Sequence, residues 1–479
     1  MIFSSLLSCL APLVIAFVLI SLLWPEQTKL RYDLPLKLCL AVGIGFGVLS
    51  CMYFLQLSLV GPSRRGLIST QVALLAALIA IFFYKRKSLK RSPGGEPVSR
   101  PVAESRYSRI LSMLFLIALL STAVTFVFIS LRKPHGDWDA WAVYNMKARF
   151  LFKAGPLWRD LFSEPMEWAG PDYPLLIPTT LAACWTLMGK ESLVVAALVA
   201  MLFTLGSVGI AAYSVSALRG KIQGCLAGLV LLGTPYLITH GADQYSDIPI
   251  GFFFLATLAL MSLHDGLEKA DGKFLILAGV TAGLSAWTKN EGFLFLIAVL
   301  VSRFVVTVPR NGLRPYLRQM RFFAAGVIPI LLVVIFFKMT ISAHSGLLLP
   351  TEGPSFIAKV TDLSRYRTIL DYFIRLGLGF GNWPSSVVPL LAFYVLLLGI
   401  KLEEKQKASI AGSLIALGIM LAGYFMIYVI SPRDLAWHLV TSLDRLYSQL
   451  WPSFIFIVFM IVRTPEQALA KPGIAPASA

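Results

Sequence analysis

Long apolar runs, separated by short polar stretches, dominate the hydrophobic pattern of this 479-residue chain. A helix needs ~20 predominantly apolar residues to cross a bilayer. The runs predicted to span are residues 4–24, 36–58, 67–84, 110–131, 192–217, 222–240, 248–264, 273–288, 291–308, 322–341, 384–400, 408–430 and 447–463. The pattern therefore predicts an all-α integral membrane protein with about 13 transmembrane helices, together with interfacial helices on the outer face.

One further apolar run, residues 174–189, is too short to be a simple span. A helix of this length reaches only ~24 Å, whereas the hydrocarbon core of a bilayer is ~30 Å thick. If this run crossed the membrane, the arginine-rich segment 303–321 would be forced to the outer side. We therefore predict a helix that lies along the outer face or dips into it.

Basic residues concentrate between the predicted spans. The chain has 42 Lys and Arg against 25 Asp and Glu, a net charge of +17. Because loops rich in Lys and Arg remain on the cytoplasmic side, segments 85–109, 303–321 and 401–407 are predicted to lie inside. Topology and contact with membrane lipids explain the basic balance, and no nucleic-acid partner is expected.

This orientation places the N-terminus outside and the C-terminus inside. We divide the chain into an N-terminal extension of three spans with a basic linker (residues 1–109), a central region (110–310) and a C-terminal membrane region (311–479). The orientation also predicts two long outer loops, residues 132–191 and 342–383. Polar segments 241–247 and 431–446 are also predicted to lie outside.

The first outer loop begins with a concentrated acidic motif, His135-Gly136-Asp137-Trp138-Asp139-Ala140-Trp141. Carboxylates beside a bilayer are costly and mark candidate sites for proton transfer, cation binding or sugar recognition. Asp137 and Asp139 also suit the N-cap of a helix predicted over 140–153, and both roles can coexist. That helix has the pattern of an interfacial element, with Trp and Tyr at the level of the headgroups.

The second outer segment carries two more carboxylates, Asp243 and Asp247. Their spacing of four residues would place them on one helical face, where they could share a cation with the first motif. Alternatively, Asp247 caps the span that follows it, with Pro249 in the first turn.

Two cations at outer membrane edges are candidate phosphate ligands. Lys289 lies beside Glu291 between two apolar runs, and Arg445 lies before the last one. An arginine binds phosphate in bidentate fashion, and a lysine at a membrane edge is a natural phosphate partner. The alternatives are a tight hairpin closed by Lys289 and Glu291, and a headgroup anchor at Arg445.

Taken in order, these motifs resemble those of the GT-C superfamily of membrane glycosyltransferases. Asp137-Trp138-Asp139 resembles the acidic motif that these enzymes carry in the first large outer loop, and Tyr173-Pro174-Leu175 resembles the segment leading to their surface helix. Asp247 resembles the acidic position of the second outer loop, and Ala286–Gly292 resembles a Lys-Gly hairpin. The resemblance covers residues 110–310 and is nearest to the aminoarabinose and protein-mannosyl transferase group; the three preceding spans depart from the simplest pattern.

The resemblance implies a hexosyl- or pentosyltransferase of the plasma (inner) membrane that uses a polyprenyl-phosphate-linked sugar donor at the extracytoplasmic face. Asp137, or else Asp139, would be the general base of an inverting transfer, and Lys289 and Arg445 would bind the donor phosphate. Asp139, Asp243, Asp247 and Glu291 would orient the acceptor or hold a divalent cation; no other cofactor is implied. The acceptor would be a glycan, a lipid or a protein.

Two other functions compete with this interpretation. A membrane polysaccharide polymerase or ligase would use paired arginines in a long outer loop, and loop 342–383 offers Arg365, Arg367 and Arg375. A lipid or solute transporter would carry its charges near the middle of the membrane. The early position of the acidic motif disfavours the first alternative, and the outer-edge position of the ionisable clusters disfavours the second.

Overall fold

The computed structural model describes residues 2–25, 32–89, 105–267, 272–342 and 356–469. Within these ranges the chain is almost entirely helical, as predicted. The helices are α1 (Ile2–Leu23), α2 (Asp33–Leu59), α3 (Arg64–Leu89), α4 (Arg106–Arg132), α5 (Asn145–Lys153), α6 (Leu176–Met188), α7 (Leu193–Arg219), α8 (Lys221–Leu232), α9 (Pro235–Ala242), α10 (Asp247–Gly266), α11 (Lys273–Thr288), α12 (Glu291–Asn311), α13 (Leu313–Thr340), α14 (Phe356–Thr361), α15 (Leu363–Gly379), α16 (Val387–Leu398), α17 (Glu404–Ile430), α18 (Leu435–Ile461) and α19 (Pro465–Leu469). Short 3₁₀ helices cover Gly155–Phe162 and Glu164–Ala169, and a π-helical turn covers Ala140–Tyr144.

The all-α membrane class is confirmed, but a count of thirteen spans is not. Nine of the described helices are long and apolar enough to cross a bilayer, or ten if one bent pair counts as a single span. That pair is α8 and α9, predicted as one run over 222–240 and bent by 60°. Helices α11 and α16 are shorter than a regular span. Parts of the predicted linker 85–109 and of the loop 342–383, namely residues 90–104 and 343–355, lie outside the described residues.

The short apolar run predicted over 174–189 forms helix α6 inside the protein. Every residue from Leu176 to Thr186 is buried. Thr179 shares a hydrogen bond of 2.5 Å with Ser50 of α2, and the Trp287 indole of α11 donates to the same Ser50 hydroxyl at 2.7 Å. Helix α6 is therefore a packing element that ties α2 to α11; it does not lie along the surface, and the alternative of a helix that dips into the outer face stays a prediction.

Helix α10 is the centre of the bundle, and 94% of its most apolar window is buried. Helices α7, α11 and α18 pack against it. Gly251 allows the approach of α18, because a Cβ atom at this position would lie 2.8 Å from the backbone oxygen of Gln449. Since real Cβ contacts are longer than this, a side chain at residue 251 would push the two helices apart.

Helix α18 is longer than the sequence pattern indicated. The predicted span began at residue 447, but the helix begins at Leu435, capped by the Asp434 carboxylate, which accepts the Trp437 N–H at 2.8 Å. The segment predicted as outer loop 431–446 is therefore mostly helical. As a consequence, Arg445 lies on a continuous helix that packs directly against α10.

Candidate active site

The two outer segments meet at a backbone contact. Asp137 donates its N–H to the carbonyl of Asp243 at 3.1 Å, directly after Gly136, which has a φ of +73°. A Cβ at Gly136 would lie 2.4 Å from the Asp243 carbonyl oxygen, so both the conformation and the close approach require glycine. This contact brings the acidic motif of the first loop against the end of α9.

Asp137 and Asp243 share a lysine at the rim of the site. The Lys133 ammonium lies 2.9 Å from an Asp137 oxygen and 3.1 Å from an Asp243 oxygen. The side chains of Lys133 and Asp137 are about half exposed. Donation from Lys133, followed by donation from the Trp138 N–H, lowers the pKa of Asp137 below its ordinary value. Asp137 is therefore an ionised carboxylate that is open to solvent at neutral pH.

A second group of charges lies deeper. Arg445 donates through Nη2 to Asp139 at 2.6 Å and through Nε to Asp247 at 3.1 Å. The Lys289 ammonium lies 2.8 Å from Asp247 and 2.9 Å from Glu291. We call these five residues the inner cluster; they come from the first loop, α10, the α11–α12 turn, α12 and α18.

Asp247 is the hub of the inner cluster and is fully buried. Besides its two cationic partners, it accepts the Gln449 amide N–H at 2.7 Å. His240 Nε2 lies 3.4 Å from its other oxygen. Neither Asp247 nor Asp139 caps a helix through its side chain, so the capping interpretation of both residues is wrong. Their carboxylates are used to hold cations instead.

The α11–α12 turn presents Lys289 to this hub. Gly292 makes the turn possible, since a Cβ there would lie 2.2 Å from the backbone of Ser285. Burial alone would lower the pKa of Lys289, but the carboxylates of Asp247 and Glu291 outweigh burial and hold the pKa well above its ordinary value. Lys289 therefore remains a cation, and the predicted hairpin and the predicted charged site are the same structure.

The predicted cation shared by Asp243 and Asp247 does not fit this geometry. Helix α9 ends at Ala242 and α10 begins at Asp247, so the two carboxylates do not lie on one helical face. Asp243 binds Lys133 at the rim, whereas Asp247 binds Lys289 and Arg445 in the inner cluster. Among the described residues, no three His, Cys, Asp or Glu side chains converge on a position suited to a metal ion.

Lys147 is a feature of the first loop that the sequence interpretation missed. Its side chain is almost completely buried, and its ammonium donates to the Gly170 carbonyl at 2.5 Å. Helical spacing would have revealed it, because Lys147 falls between Tyr144 and Leu151 on the apolar stripe of the helix. Burial lowers the pKa of Lys147 to about 7.

Lys338 of α13 also contacts the first outer loop. Its ammonium donates to the Asp172 carbonyl and, at 2.9 Å, to the Asn290 side-chain oxygen. Asn290 in turn donates to the Asp172 carboxylate at 2.9 Å. The Pro171–Pro174 turn is thus fastened to the α11–α12 turn, which fixes the first loop relative to Lys289.

Two basic residues of α5 are turned toward a protein carboxylate. Arg149 and Lys153 contact the two oxygens of Glu191 at 2.6 Å and 2.7 Å. The stretch predicted as one helix over 140–153 consists of the π-helical turn followed by α5. The exposed tryptophans Trp138 and Trp141 pack edge to face at the start of this stretch, with their ring centres 4.7 Å apart.

Two of the three arginines predicted as a paired site in the second long loop, Arg365 and Arg375, have separate structural roles. Arg365 donates to the carbonyls of Val429, Tyr428 and Ser431 at 2.8, 2.9 and 3.1 Å, closing the end of α17. Arg375 pairs with Asp371 one helical turn away. Because Arg365 is committed to backbone oxygens, the paired-arginine site of a polymerase or ligase is not favoured.

The pKa of Lys147 predicts how stability depends on pH. In the folded protein the pKa is about 7, below the ordinary 10.5, so the unfolded chain binds the additional proton between these values. Stability should therefore rise with pH from about 7 to 10, by at most ~1.4 kcal/mol per pH unit from this residue. Thermal unfolding in nanodiscs at pH 7, 8 and 9 measures the rise, and Lys147→Met should remove it. Lys153→Met, which changes an exposed lysine of the same helix, should keep it; equal slopes in both variants would contradict the assignment.

Comparison with known proteins supports the predicted class. The family model described as dolichyl-phosphate-mannose-protein mannosyltransferase matches residues 172–337. No curated protein matches the chain in sequence. The match to the mannosyltransferase family model confirms the predicted resemblance to the GT-C membrane glycosyltransferases. The matched segment contains Asp247, Lys289 and Glu291, whereas Asp139 and Arg445 join them from outside it.

Two solved structures of ArnT from Cupriavidus metallidurans also match. The structure with bound undecaprenyl phosphate is 16% identical, with a TM-score of 0.43, over 72% of this chain. The structure in the apo state is 17% identical, with a TM-score of 0.45, over 73% of this chain. In both comparisons the match spans 59% of the ArnT chain.

Proposed function

We propose that this protein transfers a sugar from a polyprenyl-phosphate-linked donor to an acceptor at the outer face of the plasma membrane. The observation that carries the proposal is the inner cluster, in which Lys289 and Arg445 are brought together beside the acidic motif. Lys289 lies in the segment that matches the mannosyltransferase family. The bound lipid named for the ArnT structure, undecaprenyl phosphate, is of the donor's carrier class.

In the proposed reaction Asp137 is the general base. It is ionised and solvent-accessible, whereas Asp139 and Asp247 are held by Arg445. The acceptor hydroxyl gives its proton to Asp137 while its oxygen attacks the anomeric carbon. The bond from that carbon to the phosphate oxygen breaks, and polyprenyl phosphate leaves with the electron pair. A single displacement of this kind inverts the anomeric carbon.

The two cations of the inner cluster stabilise the departing phosphate. Negative charge develops on the phosphate as the glycosidic bond breaks, and fixed cations at that position lower the barrier. Arg445 is the more accessible of the two, because its side chain is 23% exposed against 9% for Lys289. We therefore assign first contact with the phosphate to Arg445 and the supporting charge to Lys289.

Two further acidic side chains, Asp243 and Glu291, complete the proposed site. Asp243 lies beside Asp137 on the shared Lys133, where it orients the acceptor. Glu291 contacts the Lys289 ammonium at 2.9 Å and, together with Asp247, holds it in place. The transferred group is a hexosyl or pentosyl unit, and the acceptor is a glycan, a lipid or a protein.

The proposal is tested with the purified protein in nanodiscs. Binding of undecaprenyl phosphate should weaken about 10- to 100-fold in Arg445→Gln, because a charge-assisted hydrogen bond is worth ~1.5–3 kcal/mol. Arg375→Gln is the matched control, since it removes an exposed arginine whose described partner is Asp371. The protein should also release undecaprenyl phosphate from an undecaprenyl-phosphate-linked sugar when membranes supply the acceptor. Binding by Arg445→Gln equal to that of the control, or tracer uptake into vesicles without sugar transfer, would overturn the proposal.

A further inference from the structure

Arg445 divides its guanidinium between two carboxylates that differ in how firmly they are held. Asp247 is fully buried and also binds Lys289 and Gln449. The Asp139 side chain is 20% exposed, makes no helix-capping hydrogen bond and is held by the contact with Arg445. Releasing Asp139 therefore requires breaking one ion pair, whereas releasing Asp247 would leave two cations without their main partner.

Charge balance limits what the inner cluster can accept. Its three carboxylates and two cations leave one excess negative charge. An added anion would raise that excess in a largely buried place, where uncompensated charge is costly. If the anion takes the place of Asp139 instead, the balance of the cluster is unchanged. A phosphodiester carries one negative charge, the same as the carboxylate.

We propose that Asp139 is an exchangeable occupant of the phosphate site: the phosphate of the donor displaces the Asp139 carboxylate from Arg445 Nη2. This inference rests on the proposed function and adds to it that binding of the donor phosphate is coupled to the release of Asp139 from Arg445. The irregular backbone around Asp139 suits such a movement, because the residue lies between Gly136, with its positive φ, and the π-helical turn Ala140–Tyr144. Asp247 stays in place and keeps the Arg445 Nε oriented.

The exchange sets the order of events. Once released, Asp139 lies beside Asp137 at the rim and contributes a second carboxylate for binding acceptor hydroxyls. The acceptor site is therefore completed only after the donor phosphate is bound. Transfer converts the phosphodiester into a phosphate monoester, which carries up to one further negative charge. Repulsion from Asp247 then increases, so the return of Asp139 to Arg445 assists product release.

Equilibrium binding of undecaprenyl phosphate to the full chain in nanodiscs tests the exchange. Asp139→Asn removes the competing charge at nearly constant shape, so binding should tighten at least about fivefold, the equivalent of ~1 kcal/mol. Asp139→Ser, which also removes the carboxylate, should show the same tightening, so the test does not depend on one variant folding. Asp160→Asn is the matched control, because Asp160 is an exposed acid of the same loop.

Tightening in both Asp139 variants, without tightening in the control, is the expected result. Binding by the Asp139 variants that is equal to or weaker than wild type, while the wild type binds the lipid, would overturn the exchange and leave the proposed function standing. If the wild-type protein fails to bind undecaprenyl phosphate, both the exchange and the proposed function fall.

Discussion

Replacing Asp247 by asparagine is expected to destabilise the folded protein by about 3–5 kcal/mol and to abolish sugar transfer. The substitution removes the fully buried carboxylate that Lys289 and Arg445 share, so that Lys289 keeps only Glu291 and Arg445 keeps only Asp139 as a charged partner. The loss of two ion pairs to a buried carboxylate costs more than the hydrogen bonds that an asparagine restores. Thermal unfolding in nanodiscs measures the loss of stability, and release of undecaprenyl phosphate from the sugar-linked donor measures the loss of transfer.

A matched control for this prediction is Asp371→Asn. Asp371 also pairs with an arginine, but both side chains are largely exposed, so the expected change is below about 1 kcal/mol. Adding Lys289→Met to Asp247→Asn should restore neither stability nor activity, since Lys289 is still paired with Glu291 and its removal leaves that carboxylate without its cation. An Asp247→Asn protein as stable as Asp371→Asn would show that the inner cluster does not hold the bundle together.

Replacing Asp137 by asparagine is expected to lower the rate of transfer at saturating donor by about 10²–10⁴-fold, the usual contribution of a general base. Binding of undecaprenyl phosphate should stay within about twofold of wild type, because Asp137 contacts Lys133 at the rim and not Arg445. Single-turnover transfer and equilibrium binding, measured on the same preparation, separate the two effects.

The pH profile gives a second test of the base. Lys133 helps to hold the pKa of Asp137 low, so, if Asp137 is the proposed base, wild-type transfer should be lost in acid as the carboxylate becomes protonated. In Lys133→Met the pKa should rise and the acid limb should move to higher pH. Asp160→Asn serves as the control, with an unchanged rate and profile. An Asp137→Asn enzyme with full transfer activity would require another base, and Asp139 would be the first to examine.

Much of the membrane architecture could be predicted from the sequence because apolar runs of span length have few alternatives. The same pattern could not show where α18 begins, since charged residues such as Asp444 and Arg445 interrupt the apolar run while the helix continues. Nor could it show that α6 is buried, because a short apolar helix has the same composition on a surface as in a core. Lys147 was missed because its charge argues against burial, although its helical spacing places it on the apolar stripe.

The five residues of the inner cluster were named as candidates from the sequence, but their grouping was not, nor were Lys133 and Gln449 among the candidates. Asp137 and Asp139 are two residues apart, yet one faces Lys133 at the rim and the other faces Arg445 in the inner cluster. The partner of Asp139 lies 306 residues away along the chain. Pairings over such distances depend on how α18 packs on α10, and that packing is decided by close contacts between helices rather than by any local motif.

Gly251 of α10 shows how the packing of two helices affects the contacts of the inner cluster. Helix α18 carries Arg445 and Gln449, and both bind Asp247 of α10, so the length of these bonds follows the distance between the two helices. That distance is permitted by the missing side chain at residue 251. The contacts of Asp247 thus depend on a residue without charge or side chain, and a single methyl group added there should lengthen the bonds that Arg445 and Gln449 make to Asp247. Selection for activity can therefore fall on a neutral position deep in the bundle, where a survey of ionisable residues alone would not look.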